Sequence, residues 1–248
     1  MTETEQLTIW KSQFGQDWTD RNKVDPMSRV EPFKAMLSNI EIRNILEVGC
    51  GAGHNLIALS KAGTYDLHGI DPLQYAVDMA TSAGLEVSIS DCFKIPYPSK
   101  AFDLVFTCGV LMHISPEDID AAVDEMARVS RRYILAIEYL AHKEEMILYR
   151  SISNLLWKRD YGKVFSKHGL QKIKHWYWPQ GSAFAGCAWW IYQKSDFRPC
   201  EKSPIGQHHW ILASETQMQT CKYCDLAIPI PPVTEHYKGF GHLKLTRR

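Results

Sequence analysis

The segment Ile45-Leu46-Glu47-Val48-Gly49-Cys50-Gly51-Ala52-Gly53 constrains the fold more than any other part of the chain. An apolar run of strand length ends in an acid and three glycines at alternate positions. Glycine lets a chain turn tightly and lets its backbone approach a ligand closely. The segment therefore reads as a buried strand over 44–51 running into a ligand-facing turn. A helix follows over 53–62, with Leu56, Leu59 and Ala62 at helical spacing and Gly63 just beyond.

The alternation continues. Residues 65–71 read as a second strand, and Pro72 opens a helix that runs through Ala83 to Gly84. Residues 85–90 alternate as a third strand, and 102–108 form a fourth. Ser115-Pro116-Glu117-Asp118 is a helix start, with a cap candidate, a first-turn proline and acids that suit the helix dipole. That helix runs to about Val129, and 132–138 form a fifth strand. Strand and helix in alternation predict an α/β fold, a parallel sheet covered on both faces. Residues 141–168 read as an interrupted helix, and 170–178 with 187–193 as a closing pair of strands. Pro199, Pro204, Pro229, Pro231 and Pro232 break up the chain beyond Phe197. The reading gives an N-terminal lid over 1–40, a main domain over 41–197 and a Cys/His-containing extension over 198–248.

In such sheets ligands sit beyond the carboxyl ends of the strands, at the switch point. The dinucleotide pattern G-x-G-x-x-G would need glycine at 54, which is His54. The pattern here is E-x-G-x-G-x-G. Asp71 ends the second strand, 22 residues after Gly49, where a carboxylate can accept hydrogen bonds from a ribose diol. Ser90-Asp91-Cys92 ends the third strand, where Asp91 can meet an adenine amino group, and Phe102-Asp103-Leu104-Val105 opens the fourth. Together these segments resemble the class I S-adenosylmethionine-dependent methyltransferases over roughly residues 40–195. The resemblance implies a seven-stranded Rossmann-like sheet, mostly parallel, with its last strand antiparallel. It implies a cofactor seat made by Glu47, Gly49, Gly51, Gly53, Asp71, Asp91 and Cys92. Gly53 also reads as a helix-packing position, and Cys50 and Cys92 as small apolar fillers.

A narrower resemblance starts at Trp10-Lys11-Ser12-Gln13-Phe14-Gly15-Gln16-Asp17-Trp18-Thr19-Asp20-Arg21-Asn22. It continues with Glu138-Tyr139, Tyr149-Arg150 and Lys158-Arg159-Asp160-Tyr161. These segments are similar to the methylases associated with pseudaminic acid biosynthesis. Leu140 stands where that family usually has a second tyrosine, and Ser151 where it has glycine. The resemblance implies a small polar acceptor, sugar-derived, in surface glycan biosynthesis. Arg150, Lys158 and Arg159 would hold a carboxylate or phosphate, and Trp10 would stack on a sugar or base. Lys158-Arg159 also reads as a solvated turn, and the tryptophans as core. Arg21 is a candidate for the cofactor carboxylate or for a surface salt bridge. His113, past the fourth strand, and Glu138 are candidates for the base, with Tyr139 beside them.

Lys+Arg and Asp+Glu balance at 28 each, so no global positive field favours nucleic acid. The N-terminus lacks a basic region followed by an apolar stretch, no apolar run is long enough for a transmembrane helix, and the expected location is cytoplasmic. In the extension, Cys221 and Cys224 form a C-x-x-C that Cys200 and His208 can complete as a tetrahedral zinc knuckle. A redox pair and unpaired thiols stay open beside it. Two other functions stay open: methylation of a protein or nucleic-acid acceptor recognised through this tail, and a non-catalytic cofactor-binding scaffold.

Overall fold

The computed structural model describes residues 3–178, 183–184 and 186–194, together with the backbone of three short strands between 210 and 229. The main sheet has seven strands, in the order β3-β2-β1-β4-β5-β9-β8. These are β1 (Asn44–Val48), β2 (Asp66–Asp71), β3 (Glu86–Ile89), β4 (Phe102–Cys108), β5 (Ser130–Tyr139), β8 (Leu170–Tyr177) and β9 (Cys187–Lys194). The strands from β3 to β5 pair in parallel, while β9 is antiparallel to both β5 and β8. The last strand of this sheet in chain order is thus the antiparallel one, as the resemblance implies.

Alternation across each strand builds two cores. On β5, Tyr133, Leu135 and Ile137 face one layer with Phe33, Met36, Ala58 and Leu59. Ile134 and Ala136 face the other with Ile119, Val123 and Met126. The covering helices are α3 (Val30–Leu37) and α4 (His54–Ala62) on the first side and α6 (Ile119–Val129) on the second. Phe33 and Met36 have no exposed surface, so α3 belongs to the main core. Ahead of α3 in the chain stand α1 (Glu5–Trp10) and α2 (Gln13–Arg21). Helix α5 (Gln74–Ser82) follows β2.

The interrupted helix expected over 141–168 is instead a hairpin and one short helix. Strands β6 (Glu145–Tyr149) and β7 (Ile152–Lys158) pair antiparallel, and α7 (Tyr161–Ser166) follows. Glu, Met and Leu favour helices locally, but pairing with β7 and docking on α1 and α2 override that weak preference. Gln6 donates through Nε2 to the Asn154 carbonyl at 3.0 Å, and Asn154 Nδ2 donates to Glu5 at 3.1 Å. Tyr149 and Ile152 are cross-strand partners, so the turn consists of Arg150 and Ser151 alone. Their φ angles are +51° and +66°. Two-residue hairpins with both central residues left-handed favour Asn-Gly or Gly-Gly. A side chain in that region costs roughly 1–2 kcal/mol.

Strands β10 (Trp210–Leu212), β11 (Met218–Cys221) and β12 (Ala227–Pro229) form a small antiparallel sheet. Cys200, His208 and Cys224, and the Cys221 side chain, lie outside the described residues, and the zinc reading with them. Among the described residues no helix is long and apolar enough to cross a membrane.

Candidate active site

A cavity of about 510 Å³ opens at the carboxyl ends of β1, β2 and β4, between the sheet and the α1–α2 arm. That volume lies within the roughly 300–1,000 Å³ typical of small-molecule sites. Of the residues expected at a cofactor, Glu47, Gly49, Gly51, Asp71, Asp91, Cys92 and Arg21 all line it. Gly51 has a φ of +52°, and a Cβ there would meet nothing within 4 Å, so its backbone faces open space. Gly53 is different. It caps α4 at a φ of +83°, and a Cβ there would fall 2.1 Å from Leu85 Cδ1. Gly53 does not line the cavity, and its work is close helix packing.

Asp71 shapes the loop directly. One carboxylate oxygen accepts the Gly51 N–H at 2.8 Å and the other accepts the Leu73 N–H at 2.9 Å. Burial pushes its carboxyl up to about 6, against the lowering effect of those two bonds. Asp91 Oδ1 accepts the N–H groups of Phe93 and Lys94, at 2.8 and 3.1 Å. Cys92 is buried, and that burial holds its thiol protonated.

Glu47 anchors a chain of polar contacts that the sequence reading missed. Asn55 Nδ2 donates to Glu47 Oε1 at 2.6 Å, and Arg29 donates to Asn55 Oδ1 at 2.6 Å. Arg29 and Asn55 both line the cavity. Glu47 Oε2 is buried and has no hydrogen-bond partner among the described residues. Burial pushes this carboxyl up to about 8, with Asn55 and then Arg29 pulling the other way. Asn55 stands in the first turn of α4, directly after the glycine loop, and its place there is a signal the sequence carries. Arg29 sits in no motif.

The other half of the cavity is aromatic. Trp10, Trp18, His113, Tyr139 and Tyr149 line it. The Trp10 ring meets His113 at 4.6 Å and Trp18 at 5.6 Å between centroids, and Trp18 Nε1 donates to the Tyr149 hydroxyl at 3.2 Å. His113 Nδ1 lies 2.7 Å from the Leu155 carbonyl. A carbonyl only accepts, so Nδ1 carries the proton and Nε2 keeps its lone pair. Desolvation takes this imidazole down to about 4, so it is neutral at pH 7.

Three expected site residues stand elsewhere. Glu138 is fully buried, and its two oxygens accept the N–H groups of Val110, Leu111 and Met112 at 3.1–3.2 Å. It does not line the cavity, and it holds the loop after β4 that carries His113. Burial brings its carboxyl up to about 7. Arg159 is likewise buried, pairing with Glu144 at 2.9 Å and donating to the Ile114 carbonyl at 3.0 Å. A guanidinium committed to internal partners is not a substrate clamp. Lys158 reaches the cavity wall only through Tyr139, with its ammonium 5.9 Å from that ring. Arg150 and Trp10 do line the cavity.

Residues 45–132 match a family described as a methyltransferase domain. Ajmaline N-methyltransferase of Rauvolfia serpentina is 33% identical over 96 residues, which is 36% of this chain and 32% of the relative. The probable tRNA methyltransferase 9B of Bos taurus is 35% identical over 86 residues, 34% of this chain and 18% of the relative. The chain thus spans a third or less of these curated relatives' length. Magnesium protoporphyrin IX methyltransferase of Synechocystis PCC 6803, solved with bound SAM, aligns with a TM-score of 0.59 at 14% identity. That alignment covers 79% of this chain and 100% of the other, and it shows a shared fold.

Proposed function

We propose that this chain, built on the Rossmann-like methyltransferase fold, is an S-adenosylmethionine-dependent methyltransferase acting on a small, polar, sugar-derived acceptor. The observation that carries the reading is the single cavity in which Glu47, Gly51, Asp71 and Asp91 meet an aromatic half closed by α1 and α2. The cofactor, when bound, supplies an electrophilic methyl group on a sulfonium.

The residues present fit that cofactor. The unpartnered oxygen of Glu47 suits an ammonium, the open face of Gly51 admits close approach of a ligand, and Asp71 and Asp91 retain lone pairs for ribose and adenine. Arg21 and Arg29 supply positive charge for a carboxylate. In-line displacement then asks the protein for alignment and exclusion of water. Trp10, Trp18 and Tyr149 do the excluding, as rings that join the arm to the hairpin. Nε2 of His113 is the lone pair available to an acceptor hydroxyl or amine, and Tyr139 lies on the same wall. A sugar-type acceptor is supported by aromatic faces with polar edges; the relatives named above act on an alkaloid, a tRNA and a porphyrin, by their names.

The test is mass spectrometry of the protein incubated with S-adenosylmethionine and a pool of nucleotide-activated and free sugars, with Asp71→Ala as control. A product heavier by one methylene, absent in the control, supports the reading. Turnover on tRNA or peptide alone would replace the acceptor class, and no methyl transfer to any acceptor would remove the activity.

A further inference from the structure

The turn that carries Arg150 is the most strained stretch of the hairpin, and it lies at the cavity. Arg150 and Ser151 both hold left-handed backbone conformations that glycine or asparagine would adopt more readily. Strained backbone that persists at a cavity rim points to a use for the side chain it presents. Arg150 is exposed and lines the cavity, with its guanidinium 5.9 Å from the Tyr149 ring.

Two hydrogen-bond donors line the same half of the cavity, beside the His113 ring. Trp10 Nε1 is buried without a partner among the described residues, and Trp10 lines the cavity. An indole N–H only donates. The Tyr149 hydroxyl already accepts from Trp18 Nε1, so its own proton is left for another acceptor. The acids lining the cavity are Glu47, Asp71 and Asp91, all on the glycine-loop side. The aromatic half therefore offers a cation and two donors with no carboxylate among them.

We propose that Arg150, Trp10 Nε1–H and the Tyr149 hydroxyl form an anion subsite that seats a carboxylate or phosphate borne by the sugar-type acceptor. The subsite rests on the acceptor reading above and sharpens it to an anionic sugar. It also places the anion contact at the hairpin turn, where Lys158 and Arg159 do not reach. Arg pairs with carboxylate and phosphate in a bidentate fork, which justifies an arginine at a turn that otherwise favours glycine.

The experiment is a titration of the full chain saturated with S-adenosylhomocysteine, read by tryptophan fluorescence, with glucuronate, glucose 1-phosphate and uncharged glucose. At least one anionic sugar should saturate while glucose does not; the better of the two tells carboxylate from phosphate. Arg150→Gly should weaken that binding by about tenfold or more. Its affinity for S-adenosylhomocysteine should stay, and its melting temperature should not fall, because glycine suits the turn. Trp10→Phe keeps an aromatic ring, removes the N–H and should weaken binding of the same ligand. Equal response to glucose and the anionic sugars, no response to either anion, or unchanged binding in Arg150→Gly would overturn the subsite. Failure to bind S-adenosylhomocysteine would instead strike the methyltransferase reading, and the same titration without it would still test the subsite.

Discussion

Glu47 is a buried carboxyl that burial keeps protonated up to about pH 8, with one oxygen unpartnered. A ligand ammonium beside it favours the ionised form. Cofactor binding near pH 7 should therefore release up to one proton, and affinity should rise from pH 6 to 8. Calorimetry in phosphate and in Tris checks this, because released protons add each buffer's own ionisation heat; equal heats in the two would contradict it. Glu47→Gln should abolish the difference. The pKa of His113 is shifted the other way. It is about 4 when folded against an ordinary 6.5. Between those values the unfolded chain binds more protons, so stability from this group is complete above 6.5 and lost as pH falls toward 4. The loss is at most ~3 kcal/mol. Thermal melts from pH 7 to 4.5 should show a steeper decline for the wild type than for His113→Asn.

At the level of elements, the glycine loop separates two jobs that one motif conflates. Gly51→Ala meets no neighbour, so its cost is backbone strain of about 1–2 kcal/mol. Its Cβ would enter the space where the cofactor must approach. Gly53→Ala drives a Cβ into Leu85 on the far side of the loop. Gly51→Ala should lose cofactor binding with a modest drop in melting temperature, and Gly53→Ala should show the larger drop; melting curves with and without S-adenosylhomocysteine check both. The hairpin makes a parallel prediction. Trp18→Phe removes the bond to Tyr149, about 1 kcal/mol, and should weaken acceptor more than cofactor binding. Strands β1, β4 and β5 were legible as buried apolar runs, β2 from its place between two helices, and β3 from its alternation. The hairpin was not, because Glu145, Met146 and Leu148 favour helix and their pairing is non-local. The acids that line the cavity could be read because Asp71 ends β2, and Glu47 and Asp91 stand close to the ends of β1 and β3. Glu138 and Arg159 misled because a charge at a strand end can as well serve a loop or an internal ion pair.

Across the whole molecule, the sheet carries Glu47, Asp71 and Asp91 to one side of the cavity, and the α1–α2 arm and the hairpin line the other. On the proposed reading the glycine-loop half serves the cofactor and the aromatic half the acceptor; the matches to relatives named for ajmaline and for tRNA cover only about a third of this chain. On that reading composition said little about the acceptor, because the proposed contacts come from residue 10 and from residues 149 and 150, far apart in sequence. The most direct test of the central claim is equilibrium binding of S-adenosylhomocysteine by calorimetry to the wild type, Gly51→Ala and Asp71→Ala. The account predicts one saturable site in the wild type, and loss of about tenfold or more in both variants while they remain folded by circular dichroism. No saturable heat in the wild type, or undiminished binding in both folded variants, would contradict it.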